Sequence, residues 1–368
     1  MATTPQYLAG IEGFDAYVSG AFSSSNYPWT VYNTTYTGSI SGTTGAFGTN
    51  SLAFAVNSAN GSGLCYQFPS TMSPIKAGTV SQVFSWNGWI SVGSTSNVAT
   101  DTLLALCSSS TPSSGGFAIL GLSYSSTTGL NLLFPSTLAA ITTSPYTYAI
   151  APNTYYWVSI IISIVPGTVT ATYAIGGTNF QTAVGITWPA DYFTTGQIAN
   201  MIRFCSPRVA TVNYDDMVVQ AVSSSDSSWP GGTISPSTIP QFQPQKVTNA
   251  IPVSNGSIIQ WSASGSEPNY QSATDITGAN TVLATATSET DLYNWTAVGV
   301  TNVKALCYRG NSTRYGNITP QKYVSSVQSA FQTVTFAPSR FVALSENDGT
   351  NAWTAASIAA ASFGQESH

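Results

Sequence analysis

The stretch that decides the fold is residues 155–173, YYWVSIIISIVPGTVTATY. It contains an aromatic and β-branched run, the pair Pro166-Gly167, and a second β-branched run. Such runs favour strands and Pro-Gly favours a tight turn, so the stretch predicts a β-hairpin. The first arm is apolar without strict alternation, which predicts burial on both faces. Its eleven residues are too few for a membrane-spanning helix, which needs about 20.

Runs of the same kind recur on both sides of the hairpin, separated by Gly, Ser, Asn and Pro. Before residue 225 they are Ser51–Val56, Thr79–Phe84, Gly88–Val92, Phe117–Ser123, Leu130–Phe134 and Val209–Val219. After residue 245 they are Ser257–Trp261, Thr281–Ala286, Val300–Arg309, Tyr323–Val334 and Phe341–Leu344. Short strands between turn signals predict an all-β protein. The alanine-rich run Trp353–Phe363, followed by Gly364, predicts one C-terminal helix.

A proline-rich segment separates the two groups of strands. Its prolines stand at positions 230, 236, 240 and 244. Proline at this spacing forbids a helix and disfavours sheet ladders, so the segment is predicted to be an extended linker. We therefore predict a jelly-roll sandwich over 1–224, a linker over 225–245, and a smaller β-sandwich with a short C-terminal helix over 246–368.

Charge is scarce and unevenly placed. The 368 residues include 9 Lys+Arg and 14 Asp+Glu, or 6%, where about 25% is usual. Residues 1–200 hold five of these charges and residues 201–368 hold eighteen. So few basic residues leave no electrostatic footprint for nucleic acid, which we therefore exclude as a partner. The nearly uncharged first part is predicted to share its surface with other chains, and the second to be more solvated or to dock.

The sequence offers few groups for catalysis. The sole histidine is the terminal His368, so neither a Ser-His-Asp triad nor a His-based metal centre is predicted. Paired carboxylates alone can hydrolyse glycosides, but the alternating Glu-x-Asp-x-x-Glu strand of the sandwich-fold glucanases does not occur. We therefore predict no catalytic residue and a protein that is not an enzyme.

The adjacent carboxylates Asp215 and Asp216 lie in a predicted strand, where neighbouring side chains point to opposite faces. One is expected to face the sandwich interior and the other to face water. In one interpretation, the inner carboxylate accepts backbone N–H bonds or caps a turn. In the other, the pair binds Ca²⁺ together with Glu12 or Asp15, since Ca²⁺ prefers oxygen ligands. Calcium is the one cofactor that the sequence suggests.

Three segments of residues 1–220 carry a resemblance. Residues 7–17 contain Glu12, Phe14 and Asp15; Trp157 follows two tyrosines in the hairpin arm; Tyr214, Asp215 and Asp216 lie in the last predicted strand of the domain. These segments resemble the E-G-F-D-x-Y, W-Y-x-V/L and Y-I-D-D-V-x-V motifs of tailed-bacteriophage virion proteins. Those proteins have an N-terminal concanavalin A-like (laminin G-like) jelly roll.

The second half resembles the β-module that often follows in such phage proteins. Asn269–Asp275, which includes Tyr270, is similar to N-Y-Q-x-V-D-E, and Asp291–Tyr293 is similar to D-x-Y/F. The final segment, with Trp353, Phe363 and Gly364, is similar to W-T-x-A-x-I-x-A-x-x-F-G. The departures are Thr274 in place of the first acidic residue and Asp275 in place of Glu. The family provides no catalytic residues to carry over.

The resemblance implies a structural component of a tailed-phage virion, such as a capsid decoration, collar or tail-associated protein, that acts by protein–protein assembly. Its expected partners are other virion proteins and copies of itself, with a trimer as the predicted oligomer. The alternative is a lectin-like module that binds host surface glycans, because exposed aromatic rings stack on sugars. We expect a location in the virion after synthesis in the host cytoplasm, since no signal peptide and no membrane segment is predicted.

Overall fold

The computed structural model describes residues 8–15, 17, 19–22, 29–32, 38–57, 63–67, 75–76, 82–96, 99–107, 118–133, 147–165, 168–175, 179–186, 198–199, 201–205, 207–223, 246–274, 280–296, 299, 303, 306–311, 318–331, 333–337, 340–345, 351 and 353–368. The chain divides into two compact units, Ala9–Val247 and Thr248–His368. The predicted linker 225–245 lies outside the described residues, so the predicted domain boundaries stay predictions.

The strands of the first unit are β1 (Leu8–Glu12), β2 (Gly20–Ala21), β3 (Trp29–Tyr32), β4 (Gly38–Ser41), β5 (Ser51–Phe54), β6 (Gly63–Gln67), β7 (Ile75–Lys76), β8 (Gln82–Val92), β9 (Asp101–Cys107), β10 (Ala118–Ser125), β11 (Gly129–Leu133), β12 (Thr147–Tyr148), β13 (Tyr155–Val165), β14 (Thr168–Ile175), β15 (Asn179–Ile186), β16 (Ile198–Ala199), β17 (Met201–Cys205) and β18 (Val212–Ser223).

Two antiparallel sheets form a jelly-roll-like sandwich in this unit. The nine-stranded sheet has the order β15-β14-β13-β8-β18-β5-β4-β2, with β1 also paired to β18. The seven-stranded sheet has the order β12-β11-β10-β9-β17-β6-β3. The core includes Trp86 and Ile160 from the first sheet and Leu104 and Phe204 from the second. The all-β sandwich predicted from the sequence is confirmed.

The predicted hairpin is present as β13 and β14, which pair antiparallel from Val158↔Ile175 to Val165↔Thr168. The four side chains Trp157–Ile160 are all buried. Because Trp157 and Ser159 lie on the face opposite to Val158 and Ile160, the arm is buried on both faces there, as predicted. The pair Pro166-Gly167 lies outside the described residues. The predicted strand Gly88–Val92 and the described end of the predicted strand Thr79–Phe84 belong to a single strand, β8, whereas residues 79–81 lie outside the described residues.

The second unit contains β19 (Pro252–Ile259), β20 (Ser262–Ala263), α1 (Asn269–Ala273), β21 (Val282–Leu283), β22 (Thr290–Trp295), β23 (Leu306–Asn311), β24 (Ile318–Val324), β25 (Val327–Ala330), β26 (Thr333–Ala337), β27 (Arg340–Ser345), α2 (Ala355–Ala359) and β28 (Ser362–Ser367). A five-stranded sheet has the order β19-β22-β28-β24-β25, and a three-stranded sheet has the order β23-β27-β26. Tyr308 of the smaller sheet lies 5.6 Å, centroid to centroid, from the ring of Trp295 of the larger one.

The predicted strand Tyr323–Val334 is instead parts of three strands. Ser325 and Ser326 both have positive φ angles, 49° and 68°. Two consecutive left-handed residues form the type of turn that matches the twist of a tight hairpin, so the chain reverses between β24 and β25. Serine at both positions gave no glycine or asparagine signal from which to predict this turn.

The C-terminal helix is shorter than predicted. Helix α2 ends at Ala359, and Ser362–Ser367 is inserted as β28 between β22 and β24. A Cβ at Gly364 would lie 1.8 Å from the carbonyl oxygen of Asp291. Gly364 therefore permits a close approach of strands and does not end a helix. No helix in the described part of the chain is long and apolar enough to cross a bilayer.

Candidate functional site

The carboxylates Asp215 and Asp216 lie at an irregularity of β18. The register of β18 with β8 shifts between Asp215 and Val218, and Asp216 has a φ of 46°. This left-handed residue breaks the alternation of side chains along the strand. Both carboxylates are consequently buried, at 0% and 1% exposure. The expectation that one of them faces water is wrong.

Asp215 is held by the loop Gly42–Asn50. Its Oδ2 accepts a hydrogen bond of 2.8 Å from the backbone N–H of Ala46, and its Oδ1 accepts one of 2.9 Å from the N–H of Asp216. A Cβ at Gly45 would lie 2.5 Å from Asp215 Oδ2 and 2.8 Å from the carbonyl oxygens of Thr49 and Asn50. The loop can approach the carboxylate this closely because position 45 has no side chain.

Asp216 lies beside the segment Lys246–Val247. Its carboxylate accepts a hydrogen bond from the backbone N–H of Val247. Its Oδ2 atom is buried and has no hydrogen-bond partner in the described part of the chain. Lys246 Nζ lies 4.9 Å from the ring centroid of Phe47, which is part of the same loop Gly42–Asn50. Loop and segment therefore meet over the two carboxylates.

Burial keeps both carboxyls partly protonated near neutral pH. Loss of water raises the pKa of Asp215 to about 7, and the nearby charge of Asp15 adds to the increase. Burial and then the charge of Asp215 raise the pKa of Asp216 to about 8. The N–H groups of Ala46 and Val247 act in the opposite direction. With both pKa values raised, the pair of carboxyls binds at least one proton at neutral pH.

The residues of the first sequence motif, Glu12, Phe14 and Asp15, also hold chain segments together. Glu12 is buried and accepts hydrogen bonds from Phe14 N, Tyr17 Oη and Trp29 Nε1 at 3.1, 2.8 and 3.1 Å. Phe14 has a φ of 59° and is fully buried in the core. Asp15 Oδ1 accepts a hydrogen bond of 2.8 Å from Asn50 N, at the end of the loop Gly42–Asn50.

The four predicted calcium ligands do not form a common coordination sphere. Both carboxylate oxygens of Glu12 and of Asp215, and one oxygen each of Asp15 and Asp216, accept hydrogen bonds from backbone N–H groups, from the Trp29 ring or from Tyr17. Among the described residues, no group of three or more His, Cys, Asp or Glu is placed to hold a metal ion. The geometry therefore favours the interpretation in which the inner carboxylates accept backbone N–H bonds, and calcium binding stays a prediction.

Two features of this unit were missed by the sequence analysis. Asp101 accepts hydrogen bonds from the backbone N–H groups of Arg208 and Val209 at 2.7 and 2.6 Å, and it forms an ion pair with Arg208 Nε at 3.4 Å. Tyr155 donates a hydrogen bond of 2.6 Å to the carbonyl oxygen of Thr44, which anchors the loop Gly42–Asn50. Neither pairing has a signal in local sequence, since the partners are more than 100 positions apart.

The C-terminal motifs meet in one buried network. Asn269 Nδ2 donates to both carboxylate oxygens of Asp291, at 3.2 and 3.0 Å, and Tyr293 Oη donates to Asp291 Oδ2 at 2.6 Å. Gln365 Nε2 donates to Tyr293 Oη at 3.0 Å, and Tyr308 Oη donates to Gln365 Oε1 at 2.8 Å. Burial raises the pKa of Asp291, although the bonds from Tyr293 and Asn269 lower it.

The other C-terminal motif residues support this arrangement. Tyr270 N donates to Asn255 Oδ1 at 3.0 Å, which joins α1 to β19. Trp353 and Phe363 pack against each other in the core, with ring centroids 5.7 Å apart. Asp275 lies outside the described residues. In the described part of the chain, these motif residues therefore make structural contacts within one unit.

Comparisons with known proteins give only distant structural matches. No protein-family model and no curated protein matches the chain. A carbohydrate esterase from the Shiga toxin-encoding bacteriophage phi24B is 13% identical, with a TM-score of 0.36, over 57% of this chain and 99% of the other. A Lotus tetragonolobus seed lectin is 10% identical, with a TM-score of 0.35, over 56% and 99%. An endo-β-1,4-glucuronan lyase from the fungus Trichoderma reesei is 9% identical, with a TM-score of 0.36, over 53% and 92%.

These matches correct one prediction from the sequence. The prediction that the chain is not an enzyme is wrong as it stands, because the matched structures include an esterase and a lyase. The absence of a histidine triad and of a glucanase motif excludes two kinds of active site and does not exclude enzymes as a class. At these identities and TM-scores the likeness assigns neither a family nor an activity to this chain or to particular residues.

Proposed function

We propose that the chain is a structural component of a tailed-phage virion and acts by protein–protein assembly, with strand β19 as its assembly edge. The phage context is supported by the motifs of both halves of the sequence. The observation that carries the assembly role is a row of exposed apolar side chains on an edge strand of the second unit.

Strand β19 lies at the edge of the five-stranded sheet, where β22 is its neighbour. Ile251, just before the strand, is 61% exposed, and Val253 and Ile259 within it are 44% and 51% exposed. The stretch 248–260 contains no charged residue. Contiguous exposed apolar patches are rare on soluble monomers, and where they occur they often mark interaction sites.

The backbone of an edge strand adds to this argument. Its outer N–H and C=O groups can pair with a strand of another chain, and monomeric proteins usually block such edges with charged side chains. Here charge is missing from the edge. Register irregularities between Pro252 and Ser254 and between Asn255 and Ile259 limit the straight part of the strand. The partner is therefore expected to add a short strand and to cover the apolar side chains.

The test replaces two edge residues by lysine in the double variant Val253→Lys/Ile259→Lys. Phage particles grown with this variant should incorporate less of the protein, and native mass spectrometry should show fewer oligomers if copies of the chain are the partners. The matched control is Leu283→Lys, since Leu283 is 62% exposed in the same unit but outside β19. Equal incorporation and equal oligomer distributions for the double variant, the control and the parent would contradict the proposed edge.

The glycan-binding alternative has less support from the described surface. Among the described residues with large exposed apolar side chains, the aromatic one is Phe47, at 44% exposure. Lys246 Nζ already lies over its ring. The two functions are separated by omitting the protein from the virion. Particles that lose integrity but still adsorb to host cells support assembly, whereas stable particles that fail to adsorb support glycan binding.

A further inference from the structure

A second polar feature of the first unit lies on the outer face of the nine-stranded sheet. Residues Trp86 and Ile90 of β8 and Val158 and Ile160 of β13 face the core between the sheets. Alternation along a strand places Asn87 and Ser159 on the opposite face. The two residues are directly opposite each other in the register of β8 and β13. They are nevertheless buried, at 1% exposure each.

Both side chains have an unsatisfied polar atom. Asn87 Oδ1 and Ser159 Oγ are buried and have no hydrogen-bond partner in the described part of the chain. Residues directly opposite in an antiparallel pair have Cβ atoms about 4.5–5.5 Å apart. At this spacing a third group between the two side chains can reach both oxygens, and no hydrogen bond joins the oxygens to each other. An unsatisfied buried polar atom is costly, and two in one place call for an explanation.

The orientation of the Asn87 amide is determined by its other contacts. Asn87 Nδ2 donates to Ser85 Oγ at 3.2 Å and points to the carbonyl oxygen of Val218 at 3.5 Å. A carbonyl oxygen can only accept, so the nitrogen belongs on that side. Val218 is on β18, the strand on the other side of β8. Asn87 Oδ1 therefore points away from β18 and towards β13, which carries Ser159.

An aromatic pair borders the two oxygens. Trp157 precedes Ser159 by two residues on the same face, and Trp89 is its direct neighbour across the strands. The two indole rings are 5.6 Å apart, centroid to centroid, in an edge-to-face arrangement. Along the strands, the two oxygens consequently lie between the indole rings of Trp89 and Trp157 on one side and the buried Ser85 on the other.

The geometry points to a buried hydroxyl-binding site between Asn87 and Ser159. A hydroxyl group held there donates its hydrogen to Asn87 Oδ1 and accepts a hydrogen bond from Ser159 Oγ, so one group satisfies both atoms. Buried water molecules occupy such polar sites in proteins. A hydroxyl of a small organic molecule, such as a sugar, presents the same donor and acceptor. Water and an organic hydroxyl are therefore the two sources of the same chemistry.

A crystal structure of the full chain tests the site directly. We expect density within hydrogen-bond distance of both Asn87 Oδ1 and Ser159 Oγ. An isolated peak identifies water, and continuous density together with a mass adduct in native mass spectrometry identifies a co-purified organic hydroxyl. A structure in which Ser159 Oγ bonds directly to Asn87 Oδ1, with no density between them, overturns the proposal.

The variant Ser159→Ala gives a test that depends on the sign of its effect. If a hydroxyl is bound, the variant loses one of its two partners, and the unfolding equilibrium constant increases about 5- to 30-fold. If nothing is bound, the variant removes an unsatisfied hydroxyl and leaves stability unchanged or higher, which contradicts the proposal. In an Asn87→Ala background the effect of Ser159→Ala should shrink, because the shared group is already lost.

The matched control is Ser123→Ala. Ser123 is also fully buried in a strand, but its Oγ donates to the carbonyl oxygen of Asn131 at 3.4 Å in the other sheet. Its effect should be the same with and without Asn87→Ala. A Ser159→Ala effect that is equally independent of Asn87 would overturn the shared site.

Discussion

The backbone N–H of Ala46 donates a hydrogen bond of 2.8 Å to Oδ2 of Asp215, a residue 169 positions later in the chain. This bond attaches the loop Gly42–Asn50 to a buried carboxylate at the irregularity of β18. Asn50, at the other end of the loop, bonds in the same way to Asp15. Two carboxylates that the sequence suggests as calcium ligands thus act as anchors for one loop.

The first prediction concerns pH. Both Asp215 and Asp216 have folded-state pKa values, about 7 and about 8, above the roughly 3.9 of an unfolded aspartate. The folded state therefore binds more protons, and the resulting stability is complete below about pH 4 and is lost as pH rises through 7 and 8. We expect the free energy of unfolding of the unit Ala9–Val247 to decrease as pH rises from about 4 to about 8 and to level off above about pH 9, measured by urea titration with tryptophan fluorescence.

The variant Asp216→Asn should reduce this pH dependence, since asparagine does not titrate and tolerates the left-handed backbone of position 216. The matched control is Glu267→Gln, an exposed carboxylate of the other unit, which should leave the pH dependence as it is in the parent. If Asp216→Asn and the parent lose the same stability over this pH range, titration of Asp216 is not the cause.

The second prediction concerns the loop approach. In Gly45→Ala the new methyl group would meet Asp215 Oδ2 at 2.5 Å and two backbone carbonyl oxygens at 2.8 Å. We expect a loss of about 1–3 kcal/mol in the free energy of unfolding, because backbone atoms must move. Gly299→Ala is the control, since no atom of the described residues lies within 4 Å of a Cβ there. Thermal denaturation of the three proteins provides the comparison, and equal midpoints would refute the close approach.

The third prediction concerns the buried network of the second unit. Tyr293→Phe removes the donor to Asp291 and the acceptor for Gln365. We expect a loss of about 1–3 kcal/mol, because both partners stay buried. Tyr270→Phe is the matched control: its hydroxyl accepts an exposed bond of 3.2 Å from Gln271, so a change within about 0.5 kcal/mol is expected. Chemical denaturation measures both, and similar losses would show that the network adds no stability.

The fourth prediction concerns calcium. Since both carboxylate oxygens of Glu12 and of Asp215 already accept hydrogen bonds from protein donors, a bound Ca²⁺ would have to displace them. We therefore expect the same melting temperature in excess EDTA and in excess CaCl₂. Differential scanning calorimetry of the full chain measures it. A rise in melting temperature with CaCl₂ that disappears in Asp216→Asn would instead support the calcium site suggested by the sequence.

Part of the candidate site was accessible from sequence. Glu12, Asp15, Asp215 and Asp216 stand out by residue type and motif. In the structure the charge of Asp15 raises the pKa of both Asp215 and Asp216, and the charge of Asp215 raises that of Asp216. Their roles were not accessible. The positive φ of Asp216 and the approach of Gly45 arise from contacts between distant segments, and neither leaves a local pattern.

The edge β19 illustrates the same limit. Its sequence, PVSNGSII, favours a strand only weakly, and just its end was predicted. Three apolar residues there are exposed because the strand lies at the edge of the sheet. It lies at the edge because the other side of its neighbour β22 pairs with β28. Local preference selects strands, whereas strand order selects the side chains that face solvent.

The sequence by itself determined an all-β chain and the hairpin of β13 and β14, because composition, turn signals and residue types are local properties. Tertiary structure decided that the C-terminal helix is short and is followed by a strand, that both Asp215 and Asp216 are buried, and that Asn87 lies opposite Ser159. These depend on which strands become neighbours. Neighbouring strands determine where water is excluded, and exclusion of water sets the pKa of a carboxyl and the cost of an unsatisfied hydroxyl.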